Sequence, residues 1–127
     1  MTKHSIIHVE FPAANREAAV KFYRDVFGWE SSDLPNIPYP MFTAGEVTGG
    51  LPALNDMYQP GDVIVHIDTE DIAADLKNIE AAGGTSVTGV IDLGPGGAVA
   101  FFTDPTGNRL ALFQSPQGSD RIRPDST

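Results

Sequence analysis

The chain runs twice through one order of elements, and that repeat limits its fold more than any other feature. In the first pass "IIHVEF" (6–11) alternates apolar and polar residues as a half-buried strand does. "NREAAVKFYRDVFG" then spaces Ala18, Ala19, Phe22, Tyr23, Val26 and Phe27 at helical intervals, and Gly28 supplies a stop. The stretch "DLPNIPYP" reads as a loop, because its prolines fix φ and remove backbone donors. β-type runs follow around "YPMFTAG" and "EVTGGLPAL". After the turn-like "NDMYQPGD" the second pass begins with a strand, "VIVHID". A helix follows over "TEDIAADLKNIEAAGG", with Ile72, Leu76 and Ile79 on its buried stripe, Thr69 or Asp68 as its cap and Gly83-Gly84 at its end. "TSVTGV", "AVAFFTD" and "RLALFQ" complete the pass, joined by GPGG and DPTGN turns.

Each half therefore reads strand, helix, strand, strand, strand. Gly28 and Gly83 end the two helices 55 residues apart (83 minus 28). A one-residue slip in the connection keeps the strand faces consistent, pairing His8 with Ile64 and Glu10 with His66. Ile7, Val9 and Phe11 then match Val63, Val65 and Ile67 on the side covered by the helices. The expected fold class is α+β: two βαβββ modules, about 5–55 and 62–115, in one domain spanning 1–115, with a polar tail at 116–127. With each helix on an outer face, the bare inner faces can curl around a shared cleft, which the polar side of "IIHVEF" would line.

Composition excludes several kinds of function. No cysteine is present, so a disulfide framework, a thiolate metal site and a cysteine nucleophile are all ruled out. No run is long and apolar enough to span a bilayer, and a cytoplasmic protein is expected. Eight Lys and Arg stand against 17 Asp and Glu, a net charge of −9 that repels phosphate backbones and anionic membranes. A nucleic-acid or membrane partner is not expected.

"IIHVEFPAANREAAVKFYRDVFGWE", the helix end "EAAGG" and the closing "FFTDPTGNRLALFQ" resemble the vicinal-oxygen-chelate superfamily of glyoxalase I, extradiol dioxygenases, and bleomycin- and fosfomycin-resistance proteins. The resemblance covers residues of about 5 to 115 and implies paired βαβββ modules, a deep cleft and a homodimer. It also implies, in metal-dependent members, His, Gln or Glu at four inward strand positions. His8 matches the first of these. The second falls on Ile64, and the glutamate of the last strand falls on Ala111 of "DPTGNRLAL". The equivalent strand of the first module, "GGLPAL", offers no side-chain donor. One ligand of four does not hold a divalent ion, so no cofactor is expected.

The candidate ligand-binding residues are His8, Glu10, Ile64, His66, Arg109, Ala111 and Phe113. Glu10 or His66 could act as a general base. A displaced metal site could draw on His8, Glu10 and His66, with Asp68 beside them, since two imidazoles and a carboxylate form a common ligand set. The plainer reading is a set of polar cleft residues holding water or a ligand. Arg109 could pair with Glu10 or Asp68, hold a substrate carboxylate, or form a rim salt bridge. His4 reads as solvated, GPGG as a tight turn and Trp29 as packing. Tyr39, Met41, Phe42, Phe101, Phe102 and Phe113 read as core material. The sequence points to a protein that binds an unidentified small molecule without metal. The alternative is a metal-dependent lyase, isomerase or dioxygenase that uses the displaced site.

Overall fold

A computed structural model of the chain describes residues 4–34 and 37–116. The tail expected from 116 therefore lies outside the described residues, except for its first position. The elements are β1 (Ile6–Glu10), α1 (Arg16–Phe27), β2 (Ser31–Leu34), β3 (Ile37–Ala44), β4 (Val47–Gly50), β5 (Ile64–Asp68), α2 (Ile72–Ala81), β6 (Thr85–Ser86), β7 (Ile91–Asp92), β8 (Ala98–Thr103) and β9 (Arg109–Gln114). They fall into two compact units. One is His8–Ile64, and the other joins the residues up to Ile7 with those from Val65 onward.

In the first unit the strand order is β2-β3-β4-β1, with β1 parallel to β4 and the other pairs antiparallel. The second unit repeats this as β6-β8-β9-β5, again with one parallel pair, β5 with β9. "TSVTGV" does not form a single strand. Only its first two residues form β6, and β7 follows immediately after the stretch; both pair with β8. Between them the Val87 and Thr88 N–H groups share the Phe101 carbonyl, and the Thr88 hydroxyl accepts from the Phe101 N–H at 3.0 Å. A side chain thus replaces one rung of the ladder, as in a bulge.

α1 begins at Asn15, whose side chain accepts from the Ala18 N–H, and ends at Gly28, whose φ of +77° suits a residue without Cβ. α2 is capped by Asp71 through the Ala74 N–H, not by Thr69 or Asp68 as the sequence suggested. Thr69 instead bonds the Asp75 carboxylate and the Asp71 N–H, which pins the entry to the helix. Gly83, one residue beyond the Ala82 cap, has φ +102°. In the last turn, Asp104 accepts from the N–H groups of Thr106 and Asn108 and from both of their side chains.

The proline-rich stretch is strand where it is described, which corrects the loop reading. β2 runs to Leu34 and β3 starts at Ile37, while residues 35 and 36 are not described. Pro38 and Pro40 precede Met41, the first β3 residue in register with β4. Their missing N–H groups are therefore not needed by that ladder.

The helix-covered sides of the two sheets are built differently. In the second unit, Ile72, Ala100, Phe102 and Leu112 are buried, with Ile67, Leu76 and Ile79 packed against them. In the first unit the packing is aromatic. Trp29 stacks on Phe42 (5.0 Å between centroids, 10° between planes), and Tyr23 and Phe11 stack on Phe42 in turn. Trp29 is thus a packing residue, as expected. None of the residues of α1 is buried, and Phe22, Val26 and Phe27, which the helical spacing aligned, are 53%, 56% and 56% exposed. Val63, placed on the covered side by the sequence pattern, precedes β5 and is exposed.

Candidate functional site

On the side of the first sheet away from α1, β1 presents His8 and Glu10 on alternate positions. They pair across to Thr48 and Gly50 of β4, and Gly50 pairs in turn with Met41 of β3. The two glycines of "EVTGG" open opposite faces. A Cβ on Gly49 would lie 2.3 Å from the Phe42 ring, and one on Gly50 would lie 1.8 Å from the Tyr39 hydroxyl. Gly49 therefore admits the aromatic stack. Gly50 lets Tyr39 lie across β4 and reach β1.

Tyr39 donates to Glu10 Oε2 at 2.5 Å, and Tyr58, from the connection after β4, donates to Oε1 at 2.6 Å. With its own hydrogen engaged by Glu10, the Tyr39 oxygen accepts from His8 Nε2 at 2.9 Å. In a neutral imidazole Nδ1 then accepts from the Thr48 hydroxyl at 2.6 Å. These donors run in one direction: Thr48 to His8, His8 to Tyr39, and both tyrosines to a carboxylate on a residue only 6% exposed. Burial first, and the Glu10 charge second, push the phenols of Tyr39 and Tyr58 well above the ordinary tyrosine range. Both remain neutral donors at any ordinary pH.

The corresponding face of the second unit is largely apolar. His66, Ala111 and Phe101 share one rung, all are buried, and the His66 and Phe101 rings meet edge to face at 6.4 Å. Arg109 and Phe113 alternate with Leu110 and Leu112 on β9, and so share the face of Ala111. Ile64, at the start of β5, is 1% exposed. Asp68 is buried at the far end of the same strand. His4, read as solvated, bonds the Asp75 carboxylate through Nε2 at 2.9 Å while remaining half exposed. A separate groove of about 460 Å³ lies between α1 and β2–β3, lined by Arg16, Lys21, Arg24, Ser31 and Ser32 among others. It shares no residue with the His8–Glu10 network.

The structure thus brings His8 and Glu10 together and adds Thr48, Tyr39 and Tyr58, which sequence reasoning missed. Tyr39 read as core by composition. The adjacent glycines in "EVTGG" were the available sign that something approaches β4 closely. Tyr58 gave no local sign, being 48 residues from the carboxylate it bonds.

The superfamily's metal does not fit these residues. Both His8 ring nitrogens are engaged by hydroxyls, and the second and fourth ligand positions, Ile64 and Ala111, are buried hydrocarbon. Among the described residues, no three His, Asp or Glu side chains gather as a metal site requires.

Comparison with known proteins agrees with the repeat. A protein of Mycobacterium tuberculosis named "Putative glyoxylase CFP32" is 29% identical over 116 residues, which is 84% of this chain and 44% of that protein. The chain thus spans less than half the length of this relative. A glyoxylase-like domain-containing protein of Didymella fabae is 30% identical over 85% of this chain and 91% of its own length. The crystal structure of methylmalonyl-CoA epimerase from Mycobacterium tuberculosis superposes with a TM-score of 0.66 over 87% of each chain, and at 14% identity the likeness is one of fold. Residues 5–112 match one family over nearly the whole described length. The chain belongs to the Glyoxalase/Bleomycin resistance protein/Dioxygenase superfamily.

Proposed function

We propose that this chain binds a small organic molecule against the polar face of its first module, without the metal of the superfamily's catalytic members. The observation that carries this reading is the run of hydrogen bonds ending on Glu10. Five polar side chains from β1, β3, β4 and the connection after β4 converge on one sheet face. Such a cluster fixes a ligand's orientation by holding hydroxyl oxygens, which keep lone pairs to accept with, at set positions. Tyr39 and Tyr58 supply flat apolar surface as well as a donor.

Glu10 is better suited to holding this cluster than to general-base catalysis. Both carboxylate oxygens already accept short phenol hydrogen bonds, so both are committed to holding Tyr39 and Tyr58 in place. The glyoxylase of the relatives' names would need either a freer base or the metal that Ile64 and Ala111 do not support. Binding is therefore favoured over turnover.

A thermal-shift screen of small metabolites, run with and without EDTA, tests the proposal. Hits that survive EDTA and lose about tenfold in affinity on Tyr39→Phe, the scale of one lost polar contact, support it. Stoichiometric metal in the purified protein, with binding abolished by chelation, would restore the displaced metal site as the reading.

A further inference from the structure

The groove beside α1 holds a second constellation. Arg16, Val20 and Arg24 stand at i, i+4 and i+8, so they form one row along the flank of α1 that lines it. The row runs cation, hydrocarbon, cation, and the two arginine stems leave the helix about 12 Å apart. Pro38 and Pro40 add hydrocarbon on the wall opposite Val20. We propose that this groove binds an elongated organic dianion, with a carboxylate or phosphate at each end and hydrocarbon between.

Charge favours such an occupant. Three of the five lysines and arginines among the described residues, Arg16, Lys21 and Arg24, line this one groove of a chain that carries −9 overall. Unspent donors favour it as well. Arg16 is only partly exposed, gives an N–H to the Pro38 carbonyl and meets no carboxylate among the described residues. Arg24 reaches Asp25 through Nε, at 3.3 Å, and its two terminal nitrogens bond nothing else among the described residues. The hydroxyls of Ser31 and Ser32, on β2, are likewise unbonded among the described residues. Lys21 is held by Asp25 at 2.6 Å and adds charge at the rim. Glu17 and Asp33 also line the groove and are exposed. Their repulsion cancels much of what one acidic group would gain, so a ligand must engage both arginines to stay. At about 460 Å³ the groove admits a whole small molecule rather than a lone ion.

This inference does not rest on the binding reading, since the groove shares no residue with the His8–Glu10 network. Ligand charge separates the two sites, because an uncharged compound gains no ion pair in the groove. Chemical-shift titration of the whole chain at low salt tests it, with adipate, hexanoate and the matching diol as probes. Adipate should perturb Arg16, Val20, Arg24, Ser31 and Ser32, with the same affinity in Tyr39→Phe. Hexanoate, with one acidic end, should bind about tenfold or more weaker, and the diol should leave these residues unmoved. The bisphosphate of that diol, set beside adipate, shows which oxyanion the arginines prefer. Arg24→Gln should weaken adipate about tenfold or more, as the loss of one charge-assisted contact does. Arg16→Gln gives the same readout at the other end, and Glu17→Gln should tighten binding. Lys77→Gln, at an exposed cation of α2, should leave it unchanged. No perturbation by either dianion, equal binding of hexanoate and adipate, or full affinity in both arginine variants would overturn the proposal.

Discussion

The two modules share one topology and divide their chemistry between them. Each orders its strands alike around a single parallel pair, and each carries one capped helix. On matched rungs the first module has Glu10, Gly50 and Met41, and the second has His66, Ala111 and Phe101. A glycine in place of an alanine is what lets Tyr39 cross β4 and turn a sheet face into a polar network. On the helix side the contrast reverses: the second module is mostly aliphatic around a single Phe102, and the first is an aromatic stack whose helix stays half open. Repeat topology is thus set by periodic patterning, and function by a few rungs where the pattern is broken.

The largest expected effect lies in the aliphatic core. Leu112→Ala or Ile72→Ala should cost about 2–5 kcal/mol in denaturant unfolding, because both side chains are almost fully enclosed. Phe22→Ala, at a half-exposed residue of the first module's helix, should cost far less in dilute solution. Equal losses would mean that the two helices are not packed differently.

Next comes Gly50→Ala, which should cost about 1–3 kcal/mol by displacing Tyr39 from Glu10 and His8. Tyr39→Phe combined with Gly50→Ala should cost no more than Gly50→Ala alone, since the same bonds are lost. Additive losses would place the glycine's role in the backbone instead.

Smaller again is the alkaline response. The phenols of Tyr39 and Tyr58 are raised in the folded chain, so their contribution is fully present below the unfolded tyrosine pKa of about 10 and is lost as pH climbs above it. Phenolate absorbance from these two should appear only with unfolding. Glu10→Gln, which removes the nearby charge, should bring part of it to lower pH. The least effect belongs to Asp104, held at about 2 chiefly by the Asn108 N–H and side chain. Its contribution is present above 3.8 and fades as pH falls through about 2, so Asp104→Asn should flatten acid unfolding slightly in that window.

Much of the architecture was legible because alternation and helical spacing repeat along the chain. The two helices, their glycine stops and the closing hairpin could be read directly. The prolines of β3 misled, since Pro38 and Pro40 sit where no β4 partner needs an N–H. α1 shows what such spacing leaves open, because it tells which residues share a face but not whether anything covers it. At the candidate site, the pair on β1 followed from period two, but its partners did not. Tyr39, Thr48 and Tyr58 arrive from elsewhere through tertiary packing that leaves no local pattern.

The central claim is that the polar face of the first module is where a ligand sits. Amide and side-chain chemical-shift mapping with a compound from the thermal-shift screen tests it most directly. The account predicts perturbations at His8, Glu10, Tyr39, Thr48 and Tyr58, abolished by Tyr39→Phe. Perturbations centred on Arg16, Lys21, Arg24, Ser31 and Ser32, unchanged by Tyr39→Phe, would place binding in the groove beside α1 and contradict it.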